Sequence, residues 1–395
     1  MKKFTRQFLL SSIFTGIISS QVFALPVVDV PVHTPYRINP NAPLGAASGL
    51  SPNQVKNAYG ITNVQHQGEG QIIAIIDAFD APNIESDLAV FNNNFGLPAC
   101  TTQNGCFTKV YASGRKPRSN PDWGVEISLD VEWAHAIAPR AKIMLVEASS
   151  SSMNALFTAI DVAIKNGANV ISMSWGGNEF SQQIQFDAVF NNPDVTFTAS
   201  SGDSGHGVLY PAVSPNVISV GGTTLNIDGA GNRLDETAWD GSGGGLSAYE
   251  SEPSYQINYQ IPRNPSNVRG APDVSYDADP TTGFPVYDSV AVNGKKGWFV
   301  VGGTSAGAPQ WAAIVAIAKS SSIRKLGDFH NLLYSMAKDK YQLTFNDVTA
   351  GSNGSCGYEC NAQNGYDYVT GLGTPQVQNI IPEIINAASY MKQDV

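Results

Sequence analysis

Short, continuous apolar runs along this chain alternate with segments whose apolar residues recur at helical spacing. Ile72-Ile73-Ala74-Ile75-Ile76 is apolar at every position, the pattern of a strand covered on both faces. A helix is predicted from about Ile84 to Phe95, and a second from about Asp122 to Ala138, where Pro139 stops it. A strand (Lys142 to Val146), a helix (Ser152 to Lys165), a strand (Val170 to Ser174) and a helix (Ser181 to Phe190) follow, then strands at Val195 to Ala199 and Val217 to Val220. This βαβ alternation predicts an α/β fold, a mostly parallel sheet with helices on both faces. A Gly/Pro/Ser/Tyr-rich region, about 226 to 296, breaks the alternation and reads as loops over one edge of the sheet. Phe299-Val300-Val301 resumes as a strand. It runs through Gly302-Gly303-Thr304-Ser305-Ala306-Gly307-Ala308-Pro309 into an apolar helix, Trp311 to Ala318.

The front of the chain is patterned differently. Lys2, Lys3 and Arg6 precede an apolar stretch, and Val22-Phe23-Ala24 is a small-residue cleavage site, so residues 1–24 read as a secretory signal. No later stretch is long and apolar enough to span a bilayer, which takes about 20 residues. Residues 25–50 have no apolar period and read as a linker or short propeptide remnant, with one catalytic domain over 51–395. Cleavage leaves 371 residues (395 − 24) and takes the net charge from −10 to −13 as three basic residues are lost. That balance argues against nucleic acid and anionic membranes as partners. Charged residues make up 14% against a usual ~25%, which suits an acidic working environment. A secreted or periplasmic monomer is expected.

The four cysteines form two close pairs, Cys100/Cys106 and Cys356/Cys360. In an exported chain each pair reads as one short disulfide clamping a loop, although sequence alone permits other pairings and a metal site.

Ser305 lies where a strand gives way to a helix, among residues small enough for a substrate carbonyl to approach, with Gly303 and Gly307 on either side. The helix start offers N–H groups to a developing oxyanion. A hydroxyl needs a base. Residues 303–307 spell G-x-S-x-G, but after Ser305 only Asp328 and His330 could complete that relay, and they lie two residues apart. Asp77 could serve as the acid of a subtilisin-type triad, yet none of His33, His66, His135, His206 and His330 has the context of its base. His135 reads as a core or helix-surface histidine. Glu126 and Asp130 are four apart on one face of the second helix, a face that continues through Trp133 and Ile137. Burial of that face would raise a carboxyl toward useful base values. Asp203, in Ser201-Gly202-Asp203-Ser204-Gly205, would donate to an oxyanion if buried and protonated.

These segments, in order over about residues 50 to 390, resemble the sedolisins, serine-carboxyl peptidases of subtilisin-like fold. They are Glu126-x-x-x-Asp130, Ser201-Gly202-Asp203-Ser204-Gly205, Gly243-Gly244-Gly245-Leu246-Ser247 with Pro253 and Tyr255-Gln256, Arg269-Gly270-Ala271-Pro272-Asp273-Val274-Ser275, and Gly303-Thr304-Ser305 with Ala308-Pro309. The resemblance implies an acid-active endopeptidase acting on polypeptides. Ser305 would be the nucleophile, Glu126 the general base, Asp130 its support and Asp203 the oxyanion-hole acid. It further implies that Asp77 extends the proton network and that Trp175 contacts that acid. A C-terminal loop would bind one structural Ca²⁺ through the Asp347 and Asp367 side chains and the carbonyls of Val348, Gln363 and Gly365, a hard oxygen cage. Two other readings are a secreted non-catalytic binding protein on the same scaffold and an esterase using the G-x-S-x-G elbow. The long folding prodomain usual in the family has no counterpart in the 26 residues of 25–50.

Overall fold

A computed structural model describes residues 30–43, 45–322, 326 and 328–390. The signal segment and residues 25–29 lie outside the described residues. The core is an eight-stranded sheet. Its strands run in the spatial order Arg233–Ala238, Val217–Ile227, Thr196–Ser200, Val170–Met173, Ile72–Ala78, Lys142–Ala148, Phe107–Tyr111. Val274–Asp277 pairs in parallel alongside Val217–Ile227, and Arg233–Ala238 is the antiparallel member. Ile72–Ala78 is therefore a middle strand, as its unbroken apolar run requires. Its side chains alternate between two cores: Ile73 and Ile75 meet the helices Pro121–Ile137 and Thr304–Ser321, while Ala74 and Ile76 meet Met153–Lys165.

Local chemistry explains the helix ends. Ile84–Phe95 stops at Gly96, which takes the left-handed conformation at φ 66°. Pro121 opens the next helix and the Asn120 side chain caps it by accepting from Asp122 N–H and Trp123 N–H. That helix is buried from Trp123 through Ile137, so no residue on it faces water after the first turn. Ser152 caps Met153–Lys165 through Ala155 N–H. Both disulfides form within the close pairs, Cys100–Cys106 and Cys356–Cys360. Among the described residues no helix is long and apolar enough to cross a membrane.

Three sequence expectations change. Ser181 to Phe190 is not one α-helix but two 3₁₀ turns, Gln183–Gln185 and Asp187–Phe190. Gln183 is pulled inward there, its amide donating to Glu179 and Glu250. The region 226–296 is not a run of loops. It supplies Arg233–Ala238 and Val274–Asp277 to the sheet, the pair Gly245–Ser251 and Val268–Ala271, and the first strand of a hairpin, Phe284–Val292 with Lys295–Gly302. Asn293 and Gly294 turn that hairpin with φ of 50° and 76°, the geometry an Asn-Gly pair favours. Finally, the presumed linker is packed: Arg37–Ile38 pairs antiparallel with Gly302 and Val301, and His33 bridges Gly176.

Candidate active site

Ser305 is the second residue of the helix Thr304–Ser321. The hairpin strand Lys295–Gly302 delivers the chain through Gly303, whose φ of 105° is strained for any side chain. A Cβ at Gly303 would also collide with Asp203 Oδ2 and the Pro35 carbonyl oxygen. Gly307 has a different purpose from the one expected. A Cβ there would run into Val220 and Tyr276, so it seats the helix on the sheet. Pro309 offers no N–H to the carbonyl four residues back, which is that of Ser305; Ser174 Oγ stands 3.2 Å from this carbonyl instead.

The Ser305 hydroxyl donates to Glu126 Oε2 at 3.0 Å, and both residues are fully buried. Asp130 Oδ1 accepts the Ser174 hydroxyl at 2.9 Å, while Asp130 Oδ2 and Glu126 Oε1 have no hydrogen-bond partner among the described residues. Burial, then the charges of Asp130 and Asp77, pushes Glu126 well above the ordinary carboxyl range. Burial raises Asp130 as well, against the lowering hydrogen bond from the Ser174 hydroxyl. Asp77, on the middle strand, is also buried and raised, first by desolvation and then by Asp130 and Glu147. Neither of its carboxyl oxygens has a hydrogen-bond partner among the described residues. Trp175 is buried, but its indole N–H donates to the Ile76 carbonyl at 2.7 Å, one residue short of the Asp77 side chain.

Asp203 follows the strand Thr196–Ser200 and is buried against the same helix start. Its Oδ1 accepts the Thr304 N–H at 2.8 Å and the Thr304 hydroxyl at 2.9 Å. Its Oδ2, next to Gly303, has no hydrogen-bond partner among the described residues. Burial pushes its pKa up to about 7, so in acid it is neutral, with Oδ2 free to carry the proton. The glycine turn keeps this loop in place: Gly243 N–H donates to the Gly202 carbonyl at 2.7 Å, and a Cβ on Gly243 would collide with Ser201.

Among the described residues no hydrogen bond or ion pair joins a histidine to Ser305 or Glu126. His135 is buried, bonds the Pro98 carbonyl at 2.9 Å, and is lowered by burial to about 4. His330 sits by Asp273 and Asp328. Arg269, Asp273, Gln256 and Tyr334 form a buried strut, with Arg269 on both Asp273 oxygens and the Tyr334 hydroxyl on Asp273 at 2.7 Å. These matched residues are structural.

In the C-terminal loop both Asp347 oxygens accept the Gly365 N–H at 3.1 Å. Asp367 accepts from the N–H groups of Gln363, Val369 and Thr370. Among the described residues no hydrogen bond claims the carbonyls of Val348, Gln363 or Gly365.

Two contributors carry no signal in the sequence: Ser174, which lies between Asp130 and the backbone of Ser305, and Thr304, which bonds Asp203. A third is the segment before the domain. Pro35 is buried and its carbonyl accepts the Ser305 N–H at 3.4 Å, while Arg37 Nη2 donates to the Asp203 carbonyl at 2.9 Å.

Comparison with known proteins agrees with this geometry. The subtilase family profile matches residues 117–357. Kumamolisin from Bacillus sp. strain MN-32 is 32% identical over 87% of this chain and 65% of its own length. Sedolisin from Pseudomonas sp. strain 101 is 28% identical over 85% and 61%. The chain thus spans somewhat under two thirds of the length of these relatives. The solved structure of Pseudomonas sedolisin, a serine-carboxyl proteinase complexed with two molecules of pseudo-iodotyrostatin, superimposes with a TM-score of 0.75 at 28% identity. It covers 87% of this chain and 99% of that one, so the sheet-and-helix architecture is subtilisin-like. The chain belongs to the subtilase family, in its sedolisin branch.

Proposed function

We propose that this protein is an exported serine-carboxyl endopeptidase that hydrolyses polypeptides in acid. The observation that carries the reading is the 3.0 Å bond from the Ser305 hydroxyl to a buried carboxyl, Glu126, with no histidine bonded to either among the described residues. Ser305 Oγ attacks the peptide carbonyl while Glu126 Oε2 takes its proton. Asp130 holds Glu126 in place and shares the charge, and Asp77 keeps the same buried file of acids rich in protons. As the carbonyl oxygen becomes an oxyanion, the Ser305 N–H and the protonated Oδ2 of Asp203 face it from either side of Gly303. Glu126 then returns the proton to the leaving amine, and water repeats the sequence on the acyl-enzyme.

The donor set of the C-terminal loop suits a calcium ion: Asp347 and Asp367 both accept N–H groups of residues 363–370, and the carbonyls of Val348, Gln363 and Gly365 accept no hydrogen bond among the described residues. Asp347, Asp367, Val348, Gln363 and Gly365 would hold it. When bound, the ion would brace the loop without entering the reaction.

The test is kcat/KM on a denatured protein from pH 2.5 to 8, for wild type, Glu126→Gln and Ser305→Ala. A maximum in acid that both substitutions abolish is the expected result. A maximum near neutrality would restore a histidine base. No activity at any pH would favour a non-catalytic scaffold.

A further inference from the structure

The loop that carries Asp203 is held by a second loop, residues 241–244. The Gly243 N–H donates to the Gly202 carbonyl at 2.7 Å and the Gly205 N–H to the Gly241 carbonyl at 2.9 Å. Gly207 and Gly244 exchange both backbone hydrogen bonds at 2.8 Å. Asn353 ties the two loops together from the C-terminal side. Its carbonyl accepts the His206 N–H at 2.9 Å, and its side-chain Nδ2 donates to the Ser242 carbonyl at 2.8 Å. Ser242 is fixed in turn, its hydroxyl donating to the Val369 carbonyl at 2.9 Å and accepting the Gly222 N–H at 2.8 Å. Both residues are buried. The fit is close: a Cβ on Gly205 would lie 2.6 Å from the Asn353 carbonyl oxygen. Asn353 Oδ1 has no hydrogen-bond partner among the described residues, which costs stability rather than adding to it.

A disulfide holds Asn353 in turn. The Asn353 N–H donates to the Cys360 carbonyl at 3.0 Å, Ser352 bridges Asn361 in antiparallel fashion, and Cys356–Cys360 closes the turn between them. Cys360 is fully buried, and a Cβ on Gly354 would lie 2.8 Å from its sulfur. The short covalent ring therefore fixes the backbone on both sides of the loop that presents Asn353.

We propose that Asn353 is a positioning residue for the hydrolysis: held by the Cys356–Cys360 loop, it locks residues 202–207 against residues 241–244 and so aims Asp203 Oδ2 at the developing oxyanion. The proposal rests on the peptidase reading above and gives a catalytic consequence to a disulfide that otherwise only staples a loop. Asn353 touches no reacting atom. It acts through two backbones, one on each side of Asp203. A donor shifted by a fraction of an ångström still leaves the substrate bound but serves the transition state poorly. The effect of Asn353 therefore belongs in kcat, not in KM.

The experiment measures kcat, KM and unfolding temperature on the full chain from pH 3 to 7, with a denatured protein as substrate. Wild type is compared with Asn353→Ala, Asn353→Asp, Cys356→Ala/Cys360→Ala and, as a control, Cys100→Ala/Cys106→Ala. Asn353→Ala and Cys356→Ala/Cys360→Ala should each lower kcat about tenfold, the size of one hydrogen bond, with KM within about twofold. The control lacks the other disulfide and should keep kcat within about twofold. In Asn353→Asp the neutral carboxyl still offers an O–H to the Ser242 carbonyl and the ionised one does not. Its ordinary value is ~4, and burial moves it upward. Activity relative to wild type should therefore fall about fivefold or more between pH 3 and 7. His206, Glu359 at 3.6 Å from it, and Asp203 titrate in both proteins and cancel in that ratio. The ratio is read on one folded variant, so it decides the matter where Asn353→Ala fails to fold. A kcat within about twofold of wild type in folded Asn353→Ala, a loss confined to KM, or a flat ratio for Asn353→Asp would overturn the proposal and leave the peptidase reading standing. A wild-type chain that digests nothing would overturn both.

Discussion

Ser174 Oγ lies 2.9 Å from Asp130 Oδ1, and it has a single proton to give. Its other acceptor, the Ser305 carbonyl, is 3.2 Å away. One hydroxyl thus stands between Asp130 and the backbone of Ser305. Ser174→Ala should lower kcat about 10- to 100-fold, the size of one hydrogen bond to a charged group, with KM within about twofold. Loss confined to KM would show that Ser174 only lines the cleft.

Glu126→Gln keeps the shape of the side chain and removes its capacity to take a proton, the role proposed for it. A loss of about 10²- to 10⁴-fold in kcat/KM is expected. Stability should not fall with it, because the substitution takes a like charge away from Asp130 and Asp77, both of which raise Glu126. Thermal unfolding beside kinetics checks both halves; activity within tenfold of wild type would remove Glu126 from the base role.

Much of this arrangement was legible in the residues. Ile72–Ala78 announced itself by its apolar run, and Pro121 and Asn120 mark the start of the Glu126 helix. The sequence marks the strand at Val217 only as far as Val220, because Gly221 and Gly222 look like a break. They are small since Pro272 and Trp239 press on them, and the strand continues to Ile227. The hairpin through Asn293-Gly294 had a readable turn signal that the surrounding Gly and Pro residues masked. The orphaned Asp203 Oδ2, the role of Ser174 and the path of residues 30–38 depend on contacts between residues far apart in sequence. Local pattern carries no trace of them.

Asp203→Asn and Asp203→Ala should separate two duties of one side chain. Asparagine still offers an oxygen to Thr304 and an N–H₂ on the side where Oδ2 now stands. Wild-type activity should fade as pH rises through about 7, where Asp203 ionises. The asparagine variant should lose that limb while keeping much of its acid activity. Alanine should cost about 10²- to 10³-fold in kcat at every pH, as for one oxyanion-hole donor. An unchanged alkaline limb in Asp203→Asn would assign the limb to another group.

Chelation tests the C-terminal loop. EDTA should lower the unfolding temperature, and added Ca²⁺ should restore it. Asp347→Asn should reduce the shift, because it removes one hard ligand. An unfolding temperature that EDTA leaves unmoved would set the calcium reading aside.

The buried acids also set how stability depends on pH. Burial is the first cause at each: Asp203 and Glu147 are raised to about 7, Asp288 to about 6 and Glu250 to about 8. An unfolded carboxyl titrates near ~4. Between that value and the raised ones, the folded chain holds protons that the unfolded chain has released, so stability falls as pH rises through the interval. His135 and Asp273 are among the groups that act in the opposite direction. His135, kept neutral by burial at about 4, loses stability as pH drops below its unfolded value of ~6.5. Burial works to raise Asp273, but Arg269 and His330 outweigh it and hold it low, and its contribution disappears below about pH 4. Four raised acids against one histidine place the maximum on the acid side, at about pH 4 to 5, below the usual range of about 5 to 8. Unfolding temperatures from pH 3 to 8 should therefore peak there and decline toward pH 8. The decline should be shallower in Asp203→Asn, which no longer has that proton to lose. A curve that climbs steadily to neutrality would mean that these acids are ionised in the folded chain, and the protonated Asp203 on which the oxyanion chemistry depends would fail with them.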